Sequence, residues 1–209
     1  MLRLLGLHGY HGSAAGLRGQ AAALADAIAP VADLVCVDAP SLASGDFGWW
    51  HASQEGAGVR YRGWEKTRDG LAGFCARSGP FDGVLGFSQG AALAALLVAL
   101  GAFDGAAAPR FDFAIAIGGF ASRDPGHAAA FEVAGGIDVP TLHVIGRRDG
   151  IVAPRASHAL ASRFRGARVV EHDGGHVIPA DAGVRAATAE FLDAMARRPA
   201  SRARATLRR

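Results

Sequence analysis

The chain has 209 residues, half of them hydrophobic and 20% charged. That is enough to bury one substantial core in a single domain, expected over residues 1–196, and it excludes a largely disordered protein. The formal charge of +3 is a terminal feature, because six arginines and no acid lie in residues 197–209, a segment expected to be a solvated, disordered tail. The basic excess therefore argues for no nucleic-acid partner.

Residues 1–9 lack the long apolar region and cleavage site of a signal peptide, and no run of eighteen apolar residues marks a membrane span. Residues 2–7 instead read as a first strand, running into His8-Gly9-Tyr10-His11-Gly12-Ser13. An alanine- and leucine-rich helix is predicted over 14–29, ended by Pro30, and a buried strand over 34–37, stopped by Asp38-Ala39-Pro40. Residues 41–64 read as irregular and glycine-rich, and they contain all three tryptophans, Trp49, Trp50 and Trp64. A helix over about 65–77 follows, ended by Ser78-Gly79-Pro80. Cys36, on the second strand, and Cys75, on this helix, form neither a disulfide framework nor a ligand cluster; free buried thiols in a cytoplasmic protein are the expectation.

The most informative stretch is 82–99. A short apolar run turns sharply through Gly86-Phe87-Ser88-Gln89-Gly90 into an alanine- and leucine-rich helix. A serine at the apex of a strand-to-helix turn needs small residues two positions either side, and the helix aims its first N–H groups at the site. The spacing G-x-S-x-G is that of a nucleophile elbow. Downstream, strands are predicted over 111–117, 141–145 and 167–171, with a short helix over 126–134, another from Pro154 to about Phe164, and a closing helix over 180–197. Continuous apolar strands alternating with helices predict an α/β fold, a mainly parallel sheet of about six strands in the order 2-1-3-4-5-6 with helices on both faces. The short interval between Ser88 and Asp149 leaves no room for a large lid domain.

Three residues follow strand ends, where such sheets bind ligands. Ser88 follows the third strand, Asp149 the fifth and His176, in Gly174-Gly175-His176, the sixth. Ser88 would be the nucleophile, His176 the base that takes and returns its proton, and Asp149 the group that orients the imidazole. His172, His158 and Asp173 are the rival assignments. The loop after the first strand would complete an oxyanion hole, with the backbone N–H groups of Gln89 and either Tyr10 or His11 as donors. His8 reads as a structural histidine; His8 and His11 lack the third ligand a metal needs. Trp49 and Trp50 would either line an apolar acyl pocket or cap one end of the sheet.

The chain resembles the FSH-type serine hydrolases, a group of fungal family serine hydrolases and ovarian-cancer-associated protein 2-like proteins within the α/β-hydrolase superfamily. The likeness spans about residues 2–195. It rests on Leu7-His8-Gly9, on the segment from Phe81 to Ala91 around Gly86-Phe87-Ser88-Gln89-Gly90, on Pro140 to Gly146 with Asp149, and on Gly174-Gly175-His176. The resemblance implies a serine esterase or thioesterase without a cofactor, acting on small acyl esters or thioesters through Ser88, Asp149 and His176. An acyltransferase using the same residues, and a ligand-binding protein on a hydrolase scaffold, are the alternatives.

Overall fold

The computed structural model describes residues 1–42, 46–56, 58–102 and 109–198. Its centre is a six-stranded sheet in which every neighbouring pair is parallel. The strands are β1 (Leu2–Leu7), β2 (Ala32–Val37), β7 (Gly83–Phe87), β8 (Phe113–Ile117), β9 (Thr141–Gly146) and β10 (Arg168–His172). Their spatial order, β10-β9-β8-β7-β1-β2, is the order predicted from sequence. Strands β7 and β8 are buried at every position, as the continuous apolar runs required.

Helices cover both faces. On one side lie α1 (Ala14–Gln20), α2 (Ala22–Ile28) and α7 (Ala182–Ala196), whose Leu17, Leu24, Ile28, Phe191 and Leu192 pack on Leu4, Leu85 and Ile115. On the other lie α3 (Trp64–Ser78), α4 (Gln89–Ala102), the short α5 (Ala128–Phe131) and α6 (Pro154–Ala161), packed over Leu5, Val84 and Ala114. Successive strand residues thus feed opposite layers, the period-two alternation of a strand. Helix α4 is buried continuously from Gln89 to Ala99; it is a core helix, and each fully buried leucine along it contributes roughly 2 kcal/mol.

Two segments differ from the sequence expectation. The helix expected over 14–29 is broken at Ala21 (φ −93°, ψ 4°), so α1 and α2 are separate. Gly16 and Gly19 weaken the intervening turns. The stretch 41–64 is not irregular: β3 (Ser41–Leu42) pairs with β4 (Asp46–Phe47), and β5 (His51–Glu55) pairs antiparallel with β6 (Gly58–Arg62). The second ribbon is largely solvent-facing, so its polar residues carry no apolar alternation to read. Between β8 and β9 there is only a 3-10 turn (Pro125–His127) and α5, and no lid domain. Of the expected tail, only Arg197 and Arg198 fall among the described residues. Both cysteines are free, and burial pushes each thiol up to about 11, with Arg18 opposing slightly at Cys36.

Candidate active site

Ser88 stands between β7 and α4 with φ 56°, in the left-handed region that non-glycine residues rarely adopt. Its backbone is held on both sides. The Ser88 N–H donates to Ile117 O at 2.9 Å, and Ser88 O accepts from the N–H groups of Ala91 and Ala92, both at 3.0 Å. The flanking glycines have physical reasons. A Cβ on Gly86 would run into the Gly90 carbonyl, and one on Gly90 would run into the Leu7 carbonyl at the end of β1. The elbow closes only because these two positions are bare. Gly9, on the loop after β1, also approaches closely: its Cβ would lie 3.3 Å from Ser88 Cβ.

Asp149 and His176 come together on the loops after β9 and β10. Asp149 Oδ2 accepts from His176 Nδ1 at 2.6 Å, and the two side chains are only 3% and 10% exposed. Asp149 Oδ1 accepts from the N–H groups of Ile151 (2.9 Å) and Val152 (2.8 Å). Burial alone would push this carboxyl up; the His176 bond and the two N–H groups outweigh it and hold the pKa below the usual aspartate value. Nδ1 is therefore the protonated nitrogen facing Asp149, which leaves Nε2 as the basic one. The imidazole lies between the Phe87 ring, 4.8 Å away, and the backbone of Gly118, where a Cβ would come within 3.1 Å of the ring.

The loops carrying the two residues are joined directly. Arg148 N–H donates to Gly174 O at 3.1 Å, the Arg148 guanidinium donates to Asp173 O, and a Cβ on Gly146 would strike the Gly175 carbonyl. The rival residues are occupied elsewhere. Asp173 pairs with Arg147 at 2.7 Å, His158 bonds Glu171 at 2.8 Å, and His172 Nδ1 accepts from Gly174 N–H at 3.1 Å.

The loop after β1 is built on His8, which is 1% exposed. Its Nδ1–H donates to Gly9 O at 2.7 Å and its Nε2 accepts from Ala39 N–H at 3.0 Å. Burial keeps its pKa below the usual value against the pull of Gly9 O and Asp38. Both ring nitrogens are thus committed to ordering the loop. Tyr10 is 44% exposed, and its hydroxyl meets His51 Nδ1 at 2.7 Å. The next residue, His11, has φ 57°. Gln89 opens α4, so its backbone N–H is one of the helix's first-turn donors, which have no intrahelical acceptor.

The Gln89 side chain has a role the sequence did not disclose. Its Oε1 accepts from Trp49 N–H at 3.0 Å and its Nε2 donates to Trp50 O at 2.9 Å, 40 and 39 residues away. The residue after the serine therefore clamps the aromatic segment to the elbow. Trp49 is not at the substrate position expected for it. It is 0% exposed, its Nε1–H donates to His8 O at 2.7 Å, and Thr67 Oγ1–H donates to its carbonyl. Through its bond to His8 O, the buried Trp49 supports the first loop from beneath. Trp50 does face the site. It stacks on Tyr61 (4.6 Å, 7°), and both line a cavity of about 510 Å³ over Ser88, with Tyr10, Phe120, Arg123, Val152 and Ala156 among its other walls.

A six-stranded parallel sheet with this strand order, an elbow serine and a carboxylate–imidazole pair beyond its carboxyl edge is the architecture of the α/β-hydrolases. Residues 1–188 match the family described as "Serine hydrolase (FSH1)". The chain belongs to that serine hydrolase family. It is 37% identical over 222 residues to Esterase OVCA2 of Bos taurus, covering 94% of this chain and 97% of the relative. It is 38% identical over 224 residues to Esterase OVCA2 of Homo sapiens, covering 93% and 97%. The fold also superimposes on the crystal structure of Zea mays acyl-protein thioesterase 2 with a TM-score of 0.67 at 18% identity, covering 93% of this chain and 94% of that one.

Proposed function

We propose that this serine hydrolase is a serine esterase cleaving small carboxylic esters or thioesters through Ser88, His176 and Asp149. Ser88 Oγ attacks the acyl carbonyl while His176 Nε2 takes its proton. The oxyanion is stabilised by the backbone N–H groups of Gln89 and Tyr10. Collapse expels the alcohol or thiol, which receives the proton from His176, and water activated by the same nitrogen then releases the acid from the acyl-enzyme. Asp149, ionised throughout the neutral range, keeps the imidazole in the Nδ1–H tautomer and stabilises the imidazolium. The acyl chain lies along Trp50 and Tyr61.

The observation that carries this reading is the buried 2.6 Å bond between Asp149 and His176 beside a serine in the left-handed conformation. That pairing leaves Nε2 as a base, and the left-handed φ at Ser88 is backbone strain of the kind that clusters at active sites. The two free thiols support a reducing, cytoplasmic setting. The test is hydrolysis of p-nitrophenyl esters from acetyl to palmitoyl by wild type and Ser88→Ala. Wild type turns over at least part of the series, and Ser88→Ala loses roughly 10⁴-fold or more. Near-wild-type activity in the variant removes Ser88 from the mechanism.

A further inference from the structure

The cavity over Ser88 is electrically one-sided. Among the described residues its lining contains one arginine, Arg123, and no lysine, aspartate or glutamate. The neighbouring acid, Asp124, is turned inward: it is 6% exposed, and its two oxygens accept from Tyr61 N–H at 2.7 Å and Gly126 N–H at 2.9 Å. Among the described residues Arg123 enters no ion pair. Its backbone is nevertheless fixed, because its N–H donates at 2.9 Å to the hydroxyl of Tyr61, the ring that stacks on Trp50. An exposed arginine whose backbone is tethered to the aromatic wall thus lines an otherwise largely apolar cleft.

An arginine on an open surface is satisfied by water. At the mouth of an apolar cleft, its planar fork faces whatever part of a bound molecule extends beyond the reacting ester, and a carboxylate matches that fork in two parallel hydrogen bonds. We propose that Arg123 is a specificity residue favouring esters that carry a second, anionic group, with a carboxylate a few carbons from the scissile carbonyl. Monoesters of dicarboxylic acids are the substrate class this describes on the acyl side; an ester of a carboxylated alcohol or phenol is its counterpart on the leaving-group side. The inference rests on the ester-hydrolase reading and adds the charge of the substrate to it.

The experiment compares kcat/KM for p-nitrophenyl hydrogen adipate with p-nitrophenyl hexanoate, and for the hexanoate ester of 3-hydroxybenzoate with phenyl hexanoate. The first pair places the charge on the acyl side and the second on the leaving group. In one pair the anionic member is favoured by about fivefold, as expected of an ion pair open to solvent. The preference resides in KM, shrinks with added salt, survives in part in Arg123→Lys and falls to parity in Arg123→Gln. Equal treatment of charged and neutral members in both pairs overturns the proposal, as does a preference unchanged in Arg123→Gln. Calorimetric binding of the same pairs to Ser88→Ala protein reads the charge preference without turnover. Absence of all Ser88-dependent hydrolysis therefore strikes the esterase reading alone, while equal affinities strike the role of Arg123.

Discussion

Gln89 lies at the junction between Ser88, the proposed nucleophile, and the pocket wall, and its amide can be tested apart from its backbone N–H. Gln89→Ala keeps the N–H but leaves Trp49 N–H and Trp50 C=O without their partners, both in the buried interior. An orphaned buried polar group costs about 1–3 kcal/mol, so the variant loses roughly 3 kcal/mol of stability. Because Trp50 and Tyr61 move with the released segment, kcat/KM falls by about tenfold even though no catalytic atom is removed. Gln89→Glu sharpens the test. An ionised glutamate can still accept from Trp49 N–H, but its second oxygen meets the Trp50 carbonyl, and two acceptors repel. Protonation restores the donor, so the folded-state pKa of this new carboxyl is raised. The sign then follows: its contribution is intact below the unfolded value of about 4.3 and is lost as pH rises through the folded one. The assay is urea unfolding followed by tryptophan fluorescence at pH 4.5 and 7.5, each variant measured against wild type at the same pH. A wild-type midpoint for Gln89→Ala, or a Gln89→Glu deficit that does not shrink at pH 4.5, refutes the clamp.

Gly146→Ala drives a Cβ into the Gly175 carbonyl and separates the loops of Asp149 and His176; it should cost about 1–3 kcal/mol and lower kcat. Gly150→Ala, where an added Cβ meets nothing within 4 Å, is the matched control and should stay within about 0.5 kcal/mol of wild type in thermal or urea unfolding. His143 on β9 is 1% exposed, and burial, aided by the charge of His158, lowers its pKa to about 4. The unfolded chain takes up that proton near 6.5, so stability conferred by the neutral ring is complete above 6.5 and drains away as pH falls toward 4, by about 3 kcal/mol in total. His143→Leu should flatten the slope of unfolding free energy between pH 6.5 and 4.5; an unchanged slope refutes the assignment.

What was legible in the sequence follows from the geometry of a parallel sheet. Each of β7, β9 and β10 is a short run whose end is marked by glycine, and the residues of interest come just after: Ser88, Asp149 and His176. Chain order therefore maps directly onto position along one edge, and the strand order could be written down beforehand. The pocket wall followed no such rule. Trp49 and Trp50 are adjacent, yet one is sealed beneath the first loop and the other faces the cavity, a choice made by His8 O, Thr67 and the Gln89 amide. Those partners lie 41, 18 and 39 residues away, and no local pattern encodes them. Arg123 gave no signal for the same reason: its significance comes from the absence of acids, among the described residues, on the other segments that line the cavity.

The elbow itself explains why one short motif governs so much of the molecule. A left-handed φ at Ser88 costs on the order of 1–2 kcal/mol, and it persists because the neighbouring structure over-determines it. Ile117 O holds the serine N–H, Ala91 and Ala92 hold its carbonyl, and Gly90 rests on the carbonyl ends of β1. The same five residues thus join β1, β7, β8 and the core helix α4, while Gln89 adds the aromatic segment. Phe87, immediately before the serine, packs on the His176 ring. Because each residue of the turn fixes a different wall of the site, the strain at Ser88 is shared with the packing of the whole core. The hydroxyl can then be held in place without any hydrogen bond of its own being needed to set the backbone.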